Sequence, residues 1–166
     1  SSFAGGDGTY SNPYQIANGS QLALLARNVN SGERYDNSYF ELIADINLSA
    51  YPWFPIGTTE DVPFLGVFEG NGYTISGLKL SSSSASLGCV GLFGYAYGGI
   101  RNFNMTDVSI DVSGVNYVGT VVGVGGSCSN IKVSGEIAVT NCSSVRCGGI
   151  IGITQIRDYY ASSIYY

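Results

Sequence analysis

Asp107 and Asp111 come nearest to a catalytic pair in this 166-residue chain. They alternate with Val108, Ile110 and Val112, so on an extended strand both point outward, about 13 Å apart at ~3.3 Å per residue. Glycoside hydrolysis uses two carboxylates roughly 5–9.5 Å apart, so this spacing would need a second strand to contribute. Lys132 and Glu136, expected on the next strand, make a solvated charge ladder the simpler outcome. The sequence has no histidine, which removes the commonest general base and metal ligand. Gly123–Ser127 is glycine-rich but lacks the lysine of a phosphate loop, and reads as a turn.

Asp45, Glu60 and Asp61 offer hard oxygen ligands that could bind calcium together with backbone carbonyls. The alternative is that they cap turns. No other cofactor is expected. Tyr95, Tyr97, Tyr117, Tyr159, Tyr160, Tyr165 and Tyr166 could form an aromatic platform for sugar rings or for another protein; individually, most are as simply read as core or ladder residues. Near the end of the sequence, Tyr159, Tyr160, Ile164, Tyr165 and Tyr166 form a candidate assembly or ligand surface. Four cysteines, Cys89, Cys128, Cys142 and Cys147, allow three full pairings. Cys142 and Cys147 flank a short loop and are the favoured bridge. Cys89 and Cys128 are either a second bridge or small buried hydrophobes.

The composition restricts the partners. Charged residues make up 11% against 45% hydrophobic, so the chain folds rather than staying disordered. Residues 1–80 carry eight acids and three bases, and residues 81–166 four of each. No basic face exists to neutralise phosphates, which disfavours a nucleic-acid partner. No apolar run approaches the ~20 residues of a membrane span. Sequons at Asn18, Asn47, Asn104 and Asn141 are glycosylation candidates and fit an exported chain. A start at Ser1, without an initiator Met, fits either removal of an export signal or a trimmed chain.

The elements that must position these residues are mostly short strands. The stretch 64–80 reads FLGVFEGNGYTISGLKL: an apolar run, a Gly-Asn-Gly turn, then alternation, which predicts strand–turn–strand. Phe40, Leu42, Ile46 and Leu48 keep period two with a break near Ala44–Asp45. YPWFPIG at 51–57 holds two prolines and predicts a corner. One helix is expected over about 20–30. Ser20 is its expected cap, Leu22, Leu25, Ala26 and Val29 form its apolar stripe, and Gly32 ends it.

From Cys89 a repeat can be counted. Cys89, Val118 and Cys147 stand 29 residues apart, whereas Ile100, Cys128 and Ile156 stand 28 apart. Such a period, with no repeated helix, predicts a solenoid of stacked β rungs. Its inward columns would hold Ile100, Cys128 and Ile156, and Phe103, Ile131 and Tyr159. The mismatch of 29 against 28 predicts turns of unequal length.

The ordered set GGDGTYSNPYQI, QLALLARNVNSG, YFELIADINLS, WFPIG, FLGVFEGNGYTISGL, VGLFG and GGIIG resembles bacterial surface proteins with GLUG repeats. These include N-terminal regions of IgA-specific metallopeptidases and adhesin-like proteins. The resemblance covers nearly the whole chain, with Glu69 where that family usually has Asp. It implies an all-β fold, a single right-handed parallel β-helix over 1–166. Residues 1–38 would form an N-terminal cap containing the α-helix, and 39–166 the rungs, GLUG-like from about 89. It also implies a secreted or cell-surface setting and no chemistry.

The expected function is therefore a non-enzymatic structural or adhesive module displaying a protein- or glycan-binding surface. Two alternatives stand beside it. One is a filament subunit joined head-to-tail to copies of itself through the last rung, where the third repeat decays into ITQIRDYYASSIYY. The other is a β-helix polysaccharide lyase or hydrolase.

Overall fold

The structure, a computed structural model, describes residues 2–50, 52–81, 88–115, 117–140, 146–148 and 159–165. In chain order the elements are β1 (Tyr14–Ile16), α1 (Gly19–Asn30), β2 (Tyr39–Leu42), β3 (Ile46–Asn47), β4 (Val67–Glu69), β5 (Thr74–Ser76), β6 (Lys79–Ser81), β7 (Cys89–Val90), β8 (Phe93–Ser113), β9 (Tyr117–Gly119), β10 (Val122–Thr140), β11 (Arg146–Gly148) and β12 (Tyr159–Tyr165).

The strands stack as a β-solenoid. One sheet runs β1-β2-β4-β8-β10-β12, with β3, β5 and β6 joining it through β5 and β8, and β11-β9-β7 forms a second sheet. Every pairing from β1 to β11 is parallel. Parallel strands in register put like positions in columns. One inward column runs Tyr14, Phe40, Phe68, Ile100 and Cys128; another pairs Phe103 with Ile131, as the 28-residue step predicted. Aromatic rings fill the interior: Phe40–Phe64, Phe64–Phe93, Phe68–Phe93 and Phe68–Phe103 have centroids 5.8, 5.2, 5.4 and 5.6 Å apart. Each phenylalanine here is fully buried, contributing roughly 1.5–3 kcal/mol.

Corners of the coil need a left-handed residue, and asparagine supplies it with little strain. Asn71, Asn102 and Asn130 have φ of 52°, 63° and 51°. Asp107, at φ 53°, occupies a second corner. The unequal steps have a location. The β8–β10 register shifts between Gly125 and Ser127 and again between Val133 and Gly135. In the small sheet Cys89 pairs with Tyr117 and Val90 with Val118, so the expected match of Cys89 to Val118 is off by one. The extra residue is taken up between Val118 and Val122, which pairs with Phe93.

The helix begins at Gly19, and its cap stands two residues before the expected Ser20. Asn18, extended at φ −158°, accepts from Gln21 N, so it rather than Ser20 is the N-cap. Gln21 Oε1 in turn accepts from Ala17 N at 2.7 Å. The predicted stripe of Leu22, Leu25, Ala26 and Val29 is buried. Gly32 ends the helix at φ 109°: Gly32 N donates to Val29 O and Glu33 N to Asn28 O, the Schellman pattern.

The last strand departs from the expected column. β12 runs antiparallel to β10, with Tyr159 opposite Val139 and Tyr165 opposite Lys132. Tyr159 therefore does not stack over Ile131, and Ile156 lies outside the described residues.

Candidate binding groove on the ladder face

Outward positions of the main sheet form columns too. Gln15, Glu41, Glu69, Arg101 and Ser129 are successive register partners, and their side chains bond from rung to rung. Gln15 Nε2 donates to Glu41 Oε1 at 3.2 Å. Asn71 Nδ2 donates to Glu41 Oε2 at 3.1 Å and to Leu42 O at 3.0 Å. Glu69 accepts from Asn71 N (2.8 Å), Arg101 Nε (2.8 Å) and Asn102 Nδ2 (3.0 Å). Asn130 Nδ2 extends the line to Asn102 Oδ1 at 2.9 Å. Burial raises the Glu69 pKa, but these donors and the guanidinium outweigh it and hold the carboxyl below its ordinary value.

Beside this ladder, Tyr39 on β2 is the register partner of Val67. Tyr10 packs edge-on to Tyr39, with centroids 5.4 Å apart at 79°. A tight turn puts it there. Asn12 N donates to Thr9 O, and Tyr39 N donates to Gly8 O at 2.9 Å. Asp7 Oδ1 accepts from Thr9 N and from the Thr9 hydroxyl. Chiefly these bonds to Thr9, with help from the Asn12 side chain, keep the Asp7 carboxyl below its usual pKa. The result is a groove of about 320 Å³ lined by Tyr10, Tyr39, Glu41, Glu69, Asn71 and Arg101, among others. Sequence reading passed over these residues as a set, because only the rung register brings them together.

The residues singled out from sequence lie elsewhere. Asp107 is the exposed corner residue, and Asp111 sits in the segment beyond, between Ser81 and Ala138. Lys132 and Glu136 are exposed, opposite Asn104 and Ser109, so they do not ladder with the two aspartates. Asp45 bonds to the next rung, its Oδ1 accepting from Thr74 N at the start of β5 at 2.9 Å. Among the described residues no three acidic, thiol or imidazole side chains gather to hold a metal. Gly123–Ser127 lies inside β10 rather than between strands, with a bend at Gly125, φ 90°.

Tyr97 is 49% exposed, with half-buried Tyr95 and Tyr117 on β8 and β9. Tyr159, Tyr160, Ile164 and Tyr165 lie in β12, their backbone paired to β10; Tyr166 is outside the described residues. Cys89 and Cys128 are unbridged. Their strand partners are Tyr117 and Ile100, which places them in different columns. Cys147 lies in β11, and Cys142 lies outside the described residues, as does Asn141. Of the other sequons, Asn18 is the helix cap, exposed Asn47 accepts from Ser49 N, and Asn104 is half-buried in β8.

No protein-family model matches the chain, so the resemblance to GLUG-repeat proteins rests on the motifs alone. Over 172 residues, 95% of this chain, it is 36% identical to Halomucin of Haloquadratum walsbyi. Over 120 residues, 68% of this chain, it is 37% identical to a "Putative Gly-rich membrane protein" of Evansella cellulosilytica. The chain spans 2% and 13% of the length of these two proteins. In fold it is similar to a solved Bacteroides ovatus chain titled a "putative immunoglobulin A1 protease". The TM-score is 0.66 at 23% identity, over 90% of this chain and 55% of that one. The β-solenoid is thus a fold shared with that solved chain, and the two sequence relatives are much longer chains.

Proposed function

We propose that the chain is a non-enzymatic structural and adhesive module of a secreted or cell-surface protein. It is a right-handed parallel β-helix, covered at its first turn by α1, that displays its ladder face to a protein or glycan ligand. The observation that carries this reading is the rung-to-rung ladder. Glu69, a carboxylate of the groove, already accepts from three donors and is held in its charged form. A general acid needs a raised pKa and a free proton. Glu69 has neither. Its chemistry is that of a staple between rungs.

The small share of each relative that the chain spans supports a modular role, and the name of the Evansella protein supports a place at the membrane or outside it. A filament joined through Ile164–Tyr166 is less favoured, because β12 occupies the edge of β10 within one chain. Beads coated with the folded chain and passed over surfaces bearing glycans or extracellular proteins test the reading. Retention above that of beads carrying the unfolded chain is expected. Equal retention on every surface, or release of reducing ends from a polysaccharide panel by the chain alone, would overturn it.

A further inference from the structure

We infer that the groove beside the ladder is a saccharide site, taking an uncharged pyranose chain whose ring rests on Tyr10 and whose hydroxyls meet Glu41 and Arg101. The inference rests on the adhesive reading above and names its face and ligand class. Tyr10 is 78% exposed, an extreme value for an aromatic ring. It is nonetheless fixed in place by the Asp7–Thr9 turn and its edge contact with Tyr39. A rigid exposed tyrosine face carries partial negative charge and attracts the weakly positive axial C–H bonds of a sugar ring.

The polar groups fit the same ligand. Glu41 and Glu69 offer acceptors, while Arg101 lines the groove with its side chain 41% exposed and its Nε on Glu69. A hydroxyl both donates and accepts, so neighbouring hydroxyls satisfy an acceptor and a donor placed side by side. Gly99, just before Ile100 on β8, has no side chain to crowd Arg101 Nη1, which would lie 3.7 Å from a Cβ there. Peptide capture by strand addition has no purchase here, because β2, β4 and β8 are already paired on both sides. Two carboxylates against one guanidinium, on a chain of formal charge −5, repel acidic glycans. A groove of about 320 Å³ suits one or two sugar units.

Calorimetric titration of the folded chain with cellohexaose, chitohexaose, mannohexaose, maltohexaose and xylohexaose is the test, with alginate oligomers and oligolysine as charged controls. At least one neutral hexasaccharide should bind. Tyr10→Ala, at an exposed turn, and Glu41→Ala should each weaken it tenfold or more. Tyr97→Ala, exposed on β8 outside the groove, should leave it unchanged. Binding by no neutral hexasaccharide, binding indifferent to Tyr10→Ala, or Tyr10-dependent binding of oligolysine alone would overturn the assignment. Bead retention on protein-coated surfaces in the absence of any hexasaccharide binding would remove this site and leave the adhesive module standing.

Discussion

Arg101 Nε donates to Glu69 Oε2 at 2.8 Å across one step of the coil, and the two residues are register partners on β8 and β4. The same carboxylate oxygen takes Asn102 Nδ2, and the other takes Asn71 N. One side chain thus ties together a turn, a strand and a corner on two rungs. An isolated exposed ion pair contributes little. Here the carboxylate is held by two further hydrogen bonds, which reduces the entropy cost that normally cancels it.

Glu69→Gln should therefore destabilise the fold by about 1 kcal/mol at pH 7, lowering Tm by roughly 2–4 °C. The pH dependence has a definite sign. Burial raises the Glu69 pKa, but the donors outweigh it and the folded value is depressed. Its stabilisation is complete above the unfolded carboxylate pKa of about 4.3 and is lost as pH falls through the lower folded value. Denaturant melts at pH 7 and pH 3 should show the wild-type advantage shrinking. An unchanged advantage at pH 3 would rule out the charged staple.

Asn102 separates two roles of the corner asparagines. Its φ of 63° costs a residue with a Cβ roughly 1–2 kcal/mol, and its side chain links Glu69 to Asn130. Asn102→Gly removes the links but keeps the backbone freedom; Asn102→Ala removes both. Alanine should be less stable than glycine by about 1 kcal/mol in urea titrations. The reverse order would mean that the corner is not strained.

The core was legible in the sequence, and the groove was not. Inward positions repeat because each must bury an apolar side chain against the rung below, so Ile100 over Phe68 and Ile131 over Phe103 leave a pattern. The outward column Gln15, Glu41, Glu69 and Arg101 keeps the same spans as the inward column Tyr14, Phe40, Phe68 and Ile100 beside it. Inward positions are marked by their apolar side chains, whereas a solvent-facing position accepts almost any polar residue. Gln, Glu and Arg in a column therefore leave no pattern that singles them out, and only the rung register shows that they meet. Tyr10 was hidden for another reason: its position is set by Asp7 and Thr9, a local turn whose partner, Tyr39, is far along the chain. Ser20 and Asn18 are both good caps by residue type, and only the extended backbone at Asn18 marks it as the cap.

Two adjacent glycines provide a sharp test of the rung spacing. A Cβ on Gly98 would lie 1.8 Å from Gly66 O, a backbone atom of the neighbouring rung that cannot swing aside. On Gly99 the nearest atom would be Arg101 Nη1 at 3.7 Å, an ordinary contact. Gly98→Ala should cost about 3 kcal/mol or more, while Gly99→Ala should stay within about 0.5 kcal/mol of wild type. Equal losses would mean that the Gly66–Gly98 approach is looser than described.

Cys89 ties the small sheet to this packing. Its thiol is buried, donates to Gly94 O at 3.3 Å, and would be struck by a Cβ on Gly123 at 2.2 Å. Burial alone pushes its pKa up to about 12, and that of Cys128 up to about 11. The thiolate is the reactive species, so neither should react with an aromatic disulfide reagent at pH 8 while the chain is folded. Because the folded pKa is raised, stability is intact below the unfolded thiol value of about 8.5 and declines as pH rises toward the folded one. Peptide mapping after labelling at pH 8 should find Cys89 and Cys128 unmodified in the native chain and modified in urea. Rapid native labelling of Cys89 would mean that the β7–β9 sheet opens. A Cys89–Cys128 cross-linked peptide would mean that the two columns exchange places, which the parallel register of Val90 with Val118 and of Cys128 with Ile100 forbids.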